Sequence, residues 1–167
     1  MIVDEKYISQ IIKWDNLEKW DYLSISIYLL ITFFIINPEW INYSTTFTIF
    51  YSFGTILFLY FFNYKSLRKS KVFIIWIIIS ILHLYIYEKL GDNPKLQMYR
   101  GSSLVHLKTT WIALLTFQIF RIISLLLFKI ELVSPSKSDI DMWDCREVRW
   151  SDKIFFGIYF LIIISLS

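Results

Sequence analysis

Long apolar runs separated by short polar connections dominate the pattern of this chain. A helix needs about 20 residues, with a range of roughly 17–25, to cross the ~30 Å hydrocarbon layer of a bilayer. Four runs reach that length, and a fifth is shorter unless it begins near Trp150. The pattern predicts an all-α fold, a polytopic helical membrane bundle of four to five transmembrane helices. The longer helices are expected at residues 21–37, 46–62, 72–88 and 110–128, and the short fifth membrane segment at 154–167.

The first twenty residues show a different pattern, in which apolar positions recur on one face of a helix. The residues of this stripe are Val3, Tyr7, Ile8, Ile11 and Trp14. Such a stripe is typical of an amphipathic helix that lies in the membrane interface. We therefore expect residues 1–20 to form an N-terminal interfacial helix. The alternative is a helix that packs on the cytoplasmic loops.

Lysine and arginine are distributed unevenly between the two sides of the predicted bundle. Three of these residues lie in residues 1–20, four in the connection after the second run and five in the 129–153 loop, which makes twelve. The remaining connections hold four. Positive residues favour the cytoplasmic side of a membrane protein. This predicts a cytoplasmic N-terminus and a cytoplasmic 129–153 loop. The expected location is a bacterial inner membrane or, as second choice, an organellar membrane.

Composition supports a membrane protein and narrows the functional classes. Hydrophobic residues make up 56% of the chain and charged residues 19%, which leaves too little polar surface for a soluble domain of this size. The single Cys145 excludes an internal disulfide and any site built from several cysteines. The net charge of +3 comes from the connections, so we expect no nucleic-acid partner. Heavy use of Ile, Phe, Tyr, Leu and Lys, beside one alanine, is typical of an AT-rich genome.

Arg121 is the most informative residue of the sequence, because it lies inside the apolar run 110–128. An arginine at the centre of a membrane helix costs roughly 2.5–3.5 kcal/mol even on lenient insertion scales. Such a residue normally faces a bundle interior, a partner or a water-filled path. The alternative is that its long side chain reaches the inner membrane surface.

At 100° per residue, the sparse polar residues of each run gather on one face of the helix. We expect these faces to form a polar seam inside the bundle, with His83 and Arg121 at depths within one helix turn of each other. The alternative is that Ser, Thr and Gln serve only as hydrogen-bonding contacts between helices. The residues of the expected seam are Arg121, His83, Gln118, Tyr28, Ser80 and Ser124.

The cytoplasmic 129–153 loop contains the densest charged cluster of the chain, between residues 139 and 153. Exposed aromatic residues beside arginines are typical of protein interfaces. The loop therefore offers a candidate docking surface for a cytosolic partner, and the alternative is a solvated interfacial loop. The candidate docking residues are Trp143, Arg146, Arg149 and Trp150.

The sequence contains no motif of a zinc protease, a P-loop, a nucleophile elbow or a Ser-x-x-Lys site. The two histidines, His83 and His106, lie at different predicted depths and are too far apart to share a metal. We therefore expect no catalytic residue, no cofactor and no metal site.

Three functions remain open at the level of sequence. The first is a non-catalytic integral membrane protein that acts through assembly, as a subunit of a membrane complex or as a self-associating, membrane-perturbing or pore-forming effector. Its partners would be the lipid bilayer and either further copies or other membrane subunits. The second is a small channel or carrier with a polar path through the bundle. The third is an interfacial enzyme for a lipid or prenyl phosphate, with Arg100, His106 or Arg121 binding phosphate.

Overall fold

The computed structural model describes residues 11–36, 45–99, 101–135, 139–141 and 143–166. These residues are mostly helical and contain five long helices, as the sequence predicts. The helices are α1 (Lys19–Ile36), α2 (Thr45–Phe61), α3 (Ser70–Leu90), α4 (Thr110–Phe128) and α5 (Trp150–Leu166). Shorter elements are a helical turn (Tyr64–Leu67), two 3-10 turns (Pro94–Leu96 and Val105–Thr109) and the antiparallel strands β1 (Gln97–Met98) and β2 (Gly101–Ser102).

Within the described part of the chain, three helical segments are long and apolar enough to cross a membrane. The helix α2 is apolar but has 17 residues, and α5 also has 17 residues. Both therefore stand at the lower limit of length for a spanning helix. The three candidate spans are Lys19–Ile36, Ser70–Leu90 and Val105–Phe128.

Contacts between the helix ends show that consecutive helices run in opposite directions, which gives the bundle two distinct ends. One end, here called the charged end, collects the first residues of α1, α3 and α5 and the last residues of α2 and α4. The other, the loop end, holds the connection between α3 and α4. Pairs of helices in contact include α1 with α3, α3 with α4, and α4 with α5.

The predicted interfacial helix is not confirmed. Residues 1–10 lie outside the described part of the chain, and residues 12–18 are not helical. The chain there crosses the charged end, because the carbonyl oxygen of Lys13 accepts the N–H of Ser70 at 2.8 Å. The helix α1 then begins at Lys19, where the carboxylate of Asp21 accepts the N–H of Glu18 at 2.7 Å. A first-turn carboxylate that accepts a preceding N–H is a common helix start.

Large apolar side chains cover the outside of the bundle. On α3, Ile78 and Ile81 are 55% and 57% exposed, whereas Trp76, Ser80 and His83 are fully buried. Comparable exposed residues occur on every other long helix. An apolar surface that extends around a molecule in this way is unfavourable in water and favourable in lipid.

Candidate functional site

Arg121 lies inside the charged end, where it is 1% exposed. Its Nε donates to Oε2 of Glu131 at 2.8 Å and its Nη2 donates to Oε1 at 3.1 Å. Glu131 reaches back to α4 because Lys129 adopts a left-handed conformation with φ 57° and ends the helix. This two-bond pairing is the strongest geometry available between a guanidinium and a carboxylate. The high insertion cost of Arg121 is therefore offset within the chain.

Glu131 binds more than one cation, and a second carboxylate extends the cluster. Nζ of Lys13 lies 2.9 Å from Oε1 of Glu131, and Nε of Arg68 lies 3.8 Å from Oε2. Arg68 also donates to Asp144 at 2.5 Å. The full set, here called the Glu131 network, is Lys13, Lys65, Arg68, Arg121, Glu131 and Asp144.

The cations of this network change the titration of both carboxylates. Burial by itself would raise the pKa of Glu131, but hydrogen bonds from Arg121 and Lys13 and the charge of Arg68 outweigh it and hold the pKa below 4.5. Burial would likewise raise the pKa of Asp144, and Arg68 and Lys65 hold it below 3.8. Both carboxylates are therefore ionised at neutral pH and keep the network intact.

Acid is expected to weaken the bundle through these two groups. A carboxylate with a lowered pKa stabilises the fold above its unfolded pKa and loses that contribution as the pH falls through its folded pKa. The melting temperature in detergent should therefore fall as the pH drops below about 4.5, and it should fall less steeply in Glu131→Gln. A melting temperature that is the same in both proteins throughout this acid range would contradict the prediction.

The carboxylate of Asp152 fastens the start of α5. It is fully buried and accepts from Nη2 of Arg146 at 2.9 and 3.0 Å. The same carboxylate accepts the backbone N–H of Arg149 at 2.9 Å and that of Val133 at 3.4 Å. Asp152 thus joins α5 to the chain that follows α4.

At the loop end, hydrogen bonds link one residue from each of four helices. The hydroxyls of Thr32 and Tyr51 lie 2.6 Å apart, and the Tyr51 hydroxyl lies 2.8 Å from Nε2 of His83. Nδ1 of His83 lies 3.3 Å from the hydroxyl of Thr110. This His83 chain is buried and connects α1, α2, α3 and α4.

The expectation that His83 and Arg121 could face each other is wrong. His83 bonds to Thr110, which lies eleven residues, or about 16 Å, along α4 from Arg121. The predicted start of α3 at residue 72 differs from the observed start at Ser70 by two residues, or about 3 Å, so most of the separation comes from the shift of α3 and α4 along their axes. Buried apolar residues lie between the two sites, and we call these residues the apolar layer. They are Ile56, Trp76, Ile79, Ala113 and Phe117.

The other seam residues make local contacts. Gln118 donates to the carbonyl of Leu67 at 2.5 Å and accepts from Arg121 at 3.3 Å, so it supports the Glu131 network. The hydroxyl of Ser124 donates to the carbonyl of Ile130, and that of Ser80 donates within its own helix. Tyr28 packs in the core against Trp76, with ring centroids 4.9 Å apart.

The four candidate docking residues are placed differently from one another. Arg146 is bound to Asp152 and is partly buried. Trp143 packs against Trp20, with ring centroids 5.8 Å apart. Arg149 is exposed, and Trp150 is 79% exposed. Only the last two residues therefore present most of their side chains outward.

Three residues that hold these sites were not among the candidates predicted from the sequence: Glu131, Asp152 and Tyr51. The first carried a usable signal, because Glu131 is the first acidic residue after Arg121. Tyr51 lies three residues after Thr48 and four before Thr55, and therefore on the same polar face of α2. Arg100, a candidate for phosphate binding, lies outside the described residues.

Among the described ranges, no group of three or more His, Cys, Asp or Glu side chains is arranged to hold a metal ion. Comparison with family models, with curated proteins and with solved structures finds no match for this chain. The functional interpretation therefore depends on the geometry of the two polar sites and on the apolar exterior.

Proposed function

We propose that this chain is a non-catalytic integral membrane protein that acts through assembly. Its five long helices span the bilayer, with the charged end in the cytoplasm. It works as a subunit of a membrane complex or as a self-associating effector. The observation that carries the proposal is the contrast between polar groups that are bonded within the chain and an exterior that is apolar on every long helix.

The arrangement of the polar groups favours assembly over conduction. A channel or carrier needs polar groups along a continuous path. Here the apolar layer lies between the Glu131 network and the His83 chain. The polar residues are therefore better explained as contacts that hold the helices together.

The same contacts argue against the enzyme hypothesis for Arg121. An arginine that binds a phosphate must have donors available to it. Both terminal nitrogens and Nε of Arg121 are bonded to Glu131, Gln118 or the carbonyl of Ile11. Arg121 therefore acts as a structural residue in this proposal.

The exposed residues at the start of α5 provide a place for a cytosolic partner. Arg149 and Trp150 lie side by side at the charged end, where Lys153 also packs over the Trp150 ring at 5.4 Å. Tryptophan and arginine are the residues most often found at binding hot spots. We place the docking surface at this corner of the 139–153 segment.

Crosslinking in native membranes tests self-association. Single cysteines are placed at outward residues, one on each long helix, in a Cys145→Ser background. At least one helix face should give a covalent dimer on oxidation, because an assembling face brings two copies of one residue together. Buried Ile79 and Ile163 serve as matched controls that should not react. The outward positions are Ile27, Phe50, Ile78, Ile119 and Leu161.

A second measurement covers assembly with other proteins. The mass of the detergent-solubilised particle is compared with that of one chain. A particle of one protomer, with no dimer at any position and no protein that co-purifies, would contradict the proposal.

A further inference from the structure

Two cavities meet at Trp20, at the charged end of the bundle. The first is a shallow groove of about 60 Å³ along α1 and α2, lined by apolar side chains and Ser24. The second is a pocket of about 90 Å³ that contains charged side chains. Trp20 lines both, so the two cavities are adjacent. The apolar groove is lined by Trp20, Leu23, Ser24, Ile27, Tyr28 and Phe58.

The charged pocket holds one basic and one acidic side chain that are open to a ligand. Lys65 has a side chain that is 49% exposed, and that of Glu18 is 71% exposed. Lys65 bonds to Asp144 and to the carbonyl of Trp143, and an ammonium group has three donors. Glu18 bonds to Lys69 through one oxygen, and a carboxylate accepts about four hydrogen bonds.

We infer that these two cavities form a binding site for one glycerophospholipid with a zwitterionic, primary-amine headgroup. An acyl chain lies along the apolar groove, the phosphate receives a hydrogen bond from Lys65, and the ammonium group binds Glu18. The inference rests on the membrane integration proposed above, which places this end of α1 and α2 at headgroup level. Tryptophan is enriched at that level of a membrane.

The balance of charge selects a zwitterionic headgroup over an anionic one. Lys65 and Lys69 line the pocket together with Glu18, and the carboxylates of Asp21 and Asp144 lie against the two lysines. The two positive charges therefore already face three negative ones, of which Asp144 also pairs with Arg68. A phosphate that arrives with its own ammonium group adds no net charge, whereas an anionic headgroup would add an unmatched negative charge.

Native mass spectrometry of the full chain tests the site. Delipidated protein in detergent is titrated with phosphatidylethanolamine, phosphatidylcholine and phosphatidylglycerol that carry the same acyl chains. One phosphatidylethanolamine should bind per chain about tenfold more tightly than the other two, as expected for one additional charge-assisted hydrogen bond. Equal binding of the three lipids would overturn the inference, and so would preference for phosphatidylglycerol or the absence of a bound lipid.

Three variants locate the binding. Glu18→Gln should remove the preference for phosphatidylethanolamine over phosphatidylcholine, Lys65→Gln should weaken both, and Ile27→Trp should weaken both by filling the groove. Lys71→Gln is the matched control, because Lys71 bonds to Asn16 and does not line either cavity. Melting temperatures verify that each variant is folded.

The outcome separates this inference from the proposed function. A chain that binds phosphatidylethanolamine as described but stays a single protomer would overturn only assembly. A chain that forms crosslinked dimers but binds all three lipids equally would overturn only the lipid site.

Discussion

Replacing Glu131 with alanine is expected to lower the free energy of unfolding by about 3 kcal/mol. The substitution removes both hydrogen bonds that Glu131 makes with Arg121 and leaves a guanidinium that is 1% exposed without its counter-charge. The expected loss stands at the low end of the range for a broken buried pair because the Glu131 side chain is 20% exposed. Unfolding in mixed detergent micelles measures the change.

Two further variants complete this experiment. Glu147→Ala removes an exposed carboxylate from the same part of the chain and should change the stability by no more than about 0.5 kcal/mol. The double variant Arg121→Met with Glu131→Leu should recover part of the lost stability, because replacing both members of a buried ion pair by apolar residues is often neutral, while Lys13 and Arg68 still lose Glu131. If Glu131→Ala lowers the free energy of unfolding by less than about 1 kcal/mol, the ion pair between Arg121 and Glu131 contributes no more than an exposed ion pair does.

The helical runs were predictable because lipid imposes one simple requirement on sequence. A helix that faces hydrocarbon needs a long stretch of apolar residues, and that requirement is visible without any knowledge of packing. The expected 110–128 segment agrees with α4, and the expected 46–62 segment differs from α2 by one residue at each end. The start of the fifth helix at Trp150 was the less obvious possibility, since Asp152 and Lys153 interrupt the apolar pattern.

The contacts inside the bundle were only partly predictable, because they join residues far apart in sequence. The polar faces indicated that Arg121, His83 and Gln118 point inward, and all three have buried or partly buried side-chain hydrogen bonds. Helical periodicity gives the direction of a side chain but not its partner. The relative shift of α3 and α4 along their axes decides the partner, and short connections do not fix that shift to within a turn.

The region just before α1 shows that a periodic pattern does not fix where a helix ends. Trp14 fits the stripe of the predicted interfacial helix, yet residues 12–18 adopt no helix. The backbone of Lys13 forms an isolated parallel β-bridge with that of Lys69. The side chain of Lys13 forms an ion pair with Glu131 at 2.9 Å. Contacts with the rest of the protein can override a weak local preference of this kind.

The placement of the two polar sites explains how one small chain can keep so many buried polar groups. Each site is held by hydrogen bonds among its own residues, and buried apolar side chains lie between the two sites. The charged end uses strong ion pairs close to the expected membrane surface, whereas the His83 chain at the loop end uses hydroxyl and imidazole groups. Charges are less unfavourable near an interface than at the bilayer centre.

Replacing Asp152 with alanine is expected to release α5 from the bundle and to destabilise the protein by about 3 kcal/mol. The fully buried carboxylate has four hydrogen bonds, from Arg146, Arg149 and Val133. Without this carboxylate, Arg146 lacks a counter-ion, and the backbone N–H groups of Arg149 and Val133 lack an acceptor. The loss of a hydrogen-bond partner is unfavourable for groups that are shielded from water.

Hydrogen exchange separates a local release from general unfolding. Amides of α5 should lose protection in Asp152→Ala while those of α3 keep most of theirs, because local opening involves one cooperative unit at a time. Asp139→Ala is the matched control, since its ion pair with Lys153 is exposed and should contribute less than about 1 kcal/mol. Equal protection of α5 in Asp152→Ala and the unaltered protein would mean that apolar packing, including the Tyr60–Tyr159 ring contact at 4.5 Å, holds α5 without the carboxylate.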